Sequence, residues 1–244
     1  MKTLINFIKV IIGSVWMRLF AGKGDLSSLL AETALVKPQF LPESNCQKCV
    51  EKIEKILSID QHPRVWRDQI GSDSRILGFE KDIPDLISDF EIERWIKAVD
   101  DYTGRKTKSW CLMANKVLPV KDNLGSGGGM HRDSPFSHQV KCIWYLNDVN
   151  SQNGCFQYLP GTNNNLIGDR HKFPLGESRF HDLQINMQEV HAEAGALLIC
   201  DTRCIHGGKP IERGVRYAIS LYTFSSVDGI KKLFIKSGLS ADHS

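Results

Sequence analysis

The chain has 244 residues, of which 41% are hydrophobic and 24% charged, and its formal net charge is +3. That length suits one domain or two, and the composition excludes collagen-like, intrinsically disordered and multi-span membrane classes. The near balance of 31 basic against 28 acidic residues leaves no electrostatic footprint for nucleic acid, and seven scattered cysteines read as buried thiols of a reducing, cytoplasmic setting rather than a disulfide framework.

Residues 1–21 are strongly apolar, yet Lys2, Asn6, Lys9 and Gly13 fall on one narrow polar stripe of a helix. No run reaches the ~18 apolar residues of a spanning helix, and no A-x-A cleavage site follows. Two readings stand: a helix packed on the domain, or an interfacial helix making peripheral contact with a membrane. Residues 22–40 read as a linker or loosely packed arm. Ser44 and Gln47 have capping-box spacing and open a helix with the apolar stripe Cys46, Cys49, Val50, Ile53, Ile56 and Leu57. Cys46 and Cys49 lie on that apolar face with no second ligand pair nearby, which favours core over metal. Ser88 and Glu91 repeat the box before Ile92, Trp95, Ile96 and Val99, a second helix ending near Gly104. The stretch between the two helices has little periodicity.

From about Ser109 the pattern turns to strands over 109–119, 140–146, 155–159, 189–200 and 215–224, separated by turn residues. Short strands with glycine-rich turns after a helical start suggest a sandwich or barrel with packing helices. The organisation expected is an N-terminal helix and linker (1–37), a main domain (38–230) with a helical start (38–104) and a β core (109–225), and a tail (231–244).

The chemistry concentrates around Gly127-Gly128-Gly129-Met130-His131-Arg132-Asp133. On a strand, His131 and Asp133 share a face and form two-thirds of a 2-His-1-carboxylate set, which leaves open positions on a non-heme Fe(II). The bland alternative is a surface turn. His206 follows the apolar run 195–201, at the end of a core strand by this reading, and is the best third ligand. Ten residues on, Arg216 shares a strand face with Ala218, Ser220 and Tyr222. A buried guanidinium there needs a partner, either a dicarboxylate ligand or an internal acidic residue.

These residues in this order resemble the Fe(II)- and 2-oxoglutarate-dependent dioxygenases. Lys141–Val149, Asn153–Thr162, and His206–Pro210 followed by Gly214–Tyr222 are similar to the phytanoyl-CoA dioxygenase-like branch. The resemblance implies a fold that is mainly β with flanking α-helices around a double-stranded β-helix (a cupin-like jelly roll). It implies His131, Asp133 and His206 as iron ligands and catalytic centre, and Arg216 with Ser220 and Asn115 on 2-oxoglutarate, with O₂ as the other cosubstrate. The activity implied is oxidative decarboxylation of 2-oxoglutarate coupled to hydroxylation of a small molecule. A protein or peptide hydroxylase and a non-catalytic metal-binding jelly roll are the alternatives. Thr162 and Asn163 depart from the Ser-His that commonly follows Pro-Gly in this branch, and Asp133 argues against the halogenating relatives. The segment 163–188 has the length of a lid. Its Arg170, Lys172 and Arg179, with His171 and His181, suggest an anionic substrate group, and His138 is a candidate for the mouth of the site. His62, His191 and His243 read as structural or solvated.

Overall fold

The structure is a computed structural model that describes residues 12, 15–16, 19–133, 140–164, 172–173 and 186–244. After a short helix α1 (Leu29–Glu32), strand β1 (Ala34–Lys37) precedes helix α2 (Glu43–Leu57). Strands β2 (Val65–Arg67) and β3 (Asp73–Leu77) lead to helix α3 (Ile92–Thr103). The remaining strands are β4 (Ser109–Val117), β5 (Met130–His131), β6 (Val140–Tyr145), β7 (Phe156–Tyr158), β8 (Lys172–Phe173), β9 (Gln188–Val190), β10 (Leu197–Asp201), β11 (His206–Gly208) and β12 (Arg216–Phe224). Helix α4 (Gly229–Lys236) follows them. Among the described residues the strands form two antiparallel sheets, one of seven in the order β1-β10-β6-β12-β4-β3-β2 and one of five in the order β8-β5-β11-β7-β9.

Alternation along the strands gives the large sheet two different faces. Val140, Cys142, Trp144, Leu197, Ile199, Ile219 and Leu221 point outward, and the apolar stripes of α2 and α3 cover them. Cys46 and Cys49 belong to this layer and are fully buried, as the helical pattern implied. Burial is the main cause that pushes their thiols up, to about 11 and about 12. The opposite face carries Tyr145, Leu198, Cys200 and Ala218, which pack against Phe156 and Val190 of the small sheet. Arg216 and Ser220 lie two residues either side of Ala218, so they too enter the space between the sheets. All seven cysteines are buried free thiols.

Several elements differ from the sequence reading. The arm over 22–40 is part of the fold: Leu26 and Leu29 are buried, and β1 extends the large sheet by pairing with β10. The stretch between α2 and α3 contributes β2 and β3, which are too short for their period to register. Neither expected capping box forms. Pro42 is the residue before α2 and places Ser44 inside the first turn, while Gln47 Nε2 donates to Glu43 Oε1 at 3.4 Å. Glu91, in the left-handed region at φ 48°, precedes α3 after a 3-10 turn over Ile87–Phe90. The run 189–200 splits into β9 and β10, which lie in different sheets. The break is at Gly195 (φ 85°), where a Cβ would stand 2.2 Å from the Leu41 carbonyl oxygen. The expected tail over 231–244 contains most of α4, whose fully buried Phe234 packs on Leu77 and Met113 at one end of the inner face. Of the N-terminal segment, Ile12, Val15, Trp16, Leu19 and Phe20 are described as helical. Trp16 Nε1 donates to the Thr103 carbonyl at 3.2 Å, which docks the segment at the end of α3. Among the described residues no helix is long and apolar enough to cross a membrane.

Candidate metal centre and active site

Strand pairing brings the ligand candidates together. His131 on β5 stands directly opposite His206 on β11, with ring centroids 4.4 Å apart. His206 therefore sits on a strand of its own in the small sheet, not at the end of β10. Asp133 follows His131 by two residues, and its backbone N–H donates to the Thr202 carbonyl at 2.9 Å. Asp133 Oδ1 is 3.8 Å from His131 Nε2, and Oδ2 is 4.0 Å from His206 Nε2. One ligand atom from each of the three residues lies within 4.8 Å of the others. Each imidazole uses Nδ1 on the carbonyl two residues back, Gly129 at 2.9 Å and Cys204 at 3.1 Å. When Nδ1 carries the proton, Nε2 presents its lone pair to the common centre, as a metal ligand requires.

The surroundings hold this geometry. Gly127, at φ 94°, leaves room for the His131 ring, because a Cβ there would be 2.5 Å from Cε1. Phe156 stacks on His206 at 5.4 Å and 21°. The turn between β10 and β11 is braced by fully buried Asp201, which accepts from Tyr102 (2.7 Å), Asn163 (3.2 Å) and the Arg203 guanidinium. Thr162 Oγ1 accepts the Ile205 N–H at 2.9 Å. The departure at Thr162-Asn163 thus has a structural role: both side chains steady the turn that delivers His206.

Electrostatics favour an ionised Asp133 carboxylate facing a neutral His206 imidazole. Burial pushes His206 down to about 4, against the pull of Asp133. Burial would raise the Asp133 carboxyl, but the Lys141 ammonium beside it is the largest opposing cause and helps hold it well below the usual range. Lys141 Nζ is 2.8 Å from Asp133 Oδ2, a close ion pair that lacks hydrogen-bond alignment. The same ammonium lies 4.7 Å from the Tyr222 ring centroid. Sequence reasoning missed Lys141 as a site residue, although a lysine inside the apolar strand Val140–Tyr145 was a usable signal.

Arg216 is 5% exposed. Its Nη1 donates to the Gly154 carbonyl, while its Nε, also buried, has no hydrogen-bond partner among the described residues. A Cβ on Gly208 would lie 3.0 Å from Arg216 Nη1, which sets the guanidinium beside β11, two residues from His206 and so roughly 6–7 Å along the strand. Ser220, four residues along β12, shares its face, and Asn115 stands opposite Ala218 on that face. Next to Asn115 is Arg75, paired to Asp73 at 2.6 Å. Asp73 and Arg75 gave no sequence signal because β3 itself was not legible. His138, Arg170, His171, Arg179 and His181 lie outside the described residues. Lys172 is described in its backbone alone, in register opposite His131.

The phytanoyl-CoA dioxygenase family model matches residues 34–212. The chain belongs to the phytanoyl-CoA dioxygenase family. The cofactors of that family are Fe(II) and 2-oxoglutarate. The donor set fits such an iron, and the orphaned Arg216 Nε fits a dicarboxylate. No curated protein sequence matches the chain. Among solved structures it is similar to the non-heme α-ketoglutarate-dependent epimerase SnoN from nogalamycin biosynthesis, at 12% identity, 86% of this chain, 83% of that one and a TM-score of 0.60. It is also similar to the carbocyclase SnoK from the same biosynthesis (15% identity, 81% of each chain, TM-score 0.58). A third is HygX from Streptomyces hygroscopicus with nickel and 2-oxoglutarate bound (16% identity, 80% of this chain and 84% of that one, TM-score 0.54). At these identities the likeness establishes the jelly-roll fold of this family member.

Proposed function

We propose that this member of the phytanoyl-CoA dioxygenase family hydroxylates a small molecule bearing an anionic group. The carrying observation is the convergence of ligand atoms of His131, His206 and Asp133 within 4.8 Å, beside a buried arginine whose Nε has no partner among the described residues. In this reading His131, Asp133 and His206 would hold Fe(II), a donor set suited to non-heme iron oxygenase chemistry. Arg216 binds the distal carboxylate of 2-oxoglutarate, with Ser220 and Asn115 on the same strand face. When bound, iron and cosubstrate supply oxidative decarboxylation with O₂, coupled to attack on a substrate C–H bond. The backbone carbonyls of Gly129 and Cys204 keep both imidazoles aligned, and Phe156 excludes water from one side of His206. The small-molecule class is supported by two similar structures, SnoN in complex with nogalamycin RO and HygX with hygromycin B bound. Arg170, Lys172 and Arg179, with His171 and His181, support the anionic group.

The test is succinate formation from 2-oxoglutarate with Fe(II) and O₂, alone and with candidate small acids. His131→Ala and Asp133→Ala should each abolish it. No succinate under any of these conditions would favour the non-catalytic binding module. A reducing, cytoplasmic setting fits the buried thiols. The N-terminal segment keeps Ile12, Val15, Leu19 and Phe20 exposed, which suits peripheral membrane contact. Deleting residues 1–22 should then reduce pelleting with anionic vesicles, and unchanged pelleting would remove that reading.

A further inference from the structure

A second group of metal-ligating side chains lies at the edge of the small sheet, built from residues that the proposed reaction does not use. Glu189 is on β9, the edge strand, and His191 follows it. Ser151 and Cys155 come from the turn that leads into β7. The two oxygens of Glu189 have different partners. Oε1 accepts from Lys209 Nζ at 2.7 Å and Gln157 Nε2 at 3.1 Å. Oε2 faces His191 Nε2 at 3.0 Å, Ser151 Oγ at 2.8 Å and Cys155 Sγ at 3.6 Å. Ser151 Oγ also meets His191 Nε2 at 3.1 Å. Cys155 is fully buried, while the His191 side chain is 54% exposed, so the group opens to solvent on the imidazole side.

We propose that Cys155 Sγ, Glu189 Oε2 and His191 Nε2 form an accessory site for a divalent cation of borderline softness, best matched by Zn²⁺, with a solvent molecule as fourth ligand. Thiolate, imidazole and carboxylate are the donors zinc prefers, at bond lengths that put tetrahedral ligand atoms about 3.3–3.8 Å apart. The atoms here already lie within 4.8 Å of one another, so side-chain adjustment of about an ångström closes the site. Lys209 and Gln157 fix the carboxylate through the oxygen that does not ligate, which is the role of outer partners in metal sites. In the metal-free protein, burial and the nearby Glu189 carboxylate push the Cys155 thiol up to about 12. Binding therefore exchanges the thiol proton for a metal–sulfur bond and releases that proton, with His191 ligating through Nε2 as its Nδ1–H tautomer. The metal would tie edge strand β9 to the head of β7, one residue from the Gly154 carbonyl that Arg216 contacts.

Cobalt(II) is the probe, because the His131–Asp133–His206 set contains no sulfur. Titrating the full chain with Co²⁺ should produce a near-ultraviolet thiolate-to-cobalt charge-transfer band that Zn²⁺ bleaches. The band should be lost in Cys155→Ser and persist in Asp133→Ala. His191→Ala, at an exposed position that does not threaten folding, should raise the Co²⁺ Kd for the band about tenfold or more. Absence of the band at saturation in the folded wild type, or its survival in Cys155→Ser, would overturn the proposal.

Discussion

Replacing Lys141 with Met removes the cation beside Asp133 and keeps the apolar stem. The pair is close, at 2.8 Å, and each side chain is only about a fifth exposed. Unit charges about 4 Å apart are worth about 4 kcal/mol at an effective dielectric near 20. Removing one partner of a buried pair costs about 3–5 kcal/mol, because the other charge is stranded. Allowing for the partial exposure, the metal-free variant should lose about 2–3 kcal/mol of stability. A divalent cation held by Asp133 restores a counter-charge and no longer faces a competing ammonium. The variant should then bind metal more tightly, and at about 1.4 kcal/mol per decade a recovery of half the loss makes it about tenfold tighter. Urea unfolding of metal-free and Mn²⁺-loaded protein measures the first effect, and calorimetric titration with Mn²⁺ measures the second. A purely structural lysine would weaken both. Unchanged or weaker Mn²⁺ binding in a destabilised variant would refute the reasoning.

Other outcomes follow from the same structure. Burial holds the His206 pKa at about 4, well below the ordinary histidine value of about 6.5, so the unfolded chain binds the extra proton between those values. Metal-free stability should be complete above about pH 6.5 and fall as the pH drops toward about 4, with about 2 kcal/mol lost by about pH 5. Urea unfolding with chelator measures the slope, and an equal slope in His206→Gln would assign it elsewhere. Arg216→Lys replaces a planar fork by a point charge and should weaken 2-oxoglutarate about 10–100-fold in anaerobic titrations of Mn²⁺-loaded protein; equal affinity would remove Arg216 from that role. Phe234→Ala should cost about 3–5 kcal/mol, and unchanged stability would mean that α4 does not brace the core.

The long elements were legible because their periods repeat several times. The stripes of α2 and α3 and the alternation of β12 over Arg216, Ala218, Ser220 and Tyr222 all return in the structure. Short strands carry too few residues for a period, so β2, β3 and β1 were read as irregular chain, and Asp73 and Arg75 went unnoticed with them. The capping boxes failed for a local reason: the spacing of Ser44 and Gln47 is indifferent to Pro42, whose extended backbone starts the helix before the serine can cap it. His191 read as structural or solvated because Glu189 and Cys155, its neighbours in space, come together only when β9 pairs with β7.

Local order along the chain determined the identities in the proposed centre. His131 and Asp133 are two residues apart on an extended segment, and that spacing alone puts an imidazole and a carboxylate on one face. Tertiary structure decided their surroundings. The pairing of β5 with β11 sets His206 opposite His131 across 75 residues of chain, and the packing of the two sheets brings Lys141 to Asp133. Side-chain direction in a strand is a property of sequence, but which strand lies opposite is decided by pairing and packing. The charges that tune the centre therefore became visible only in the folded molecule.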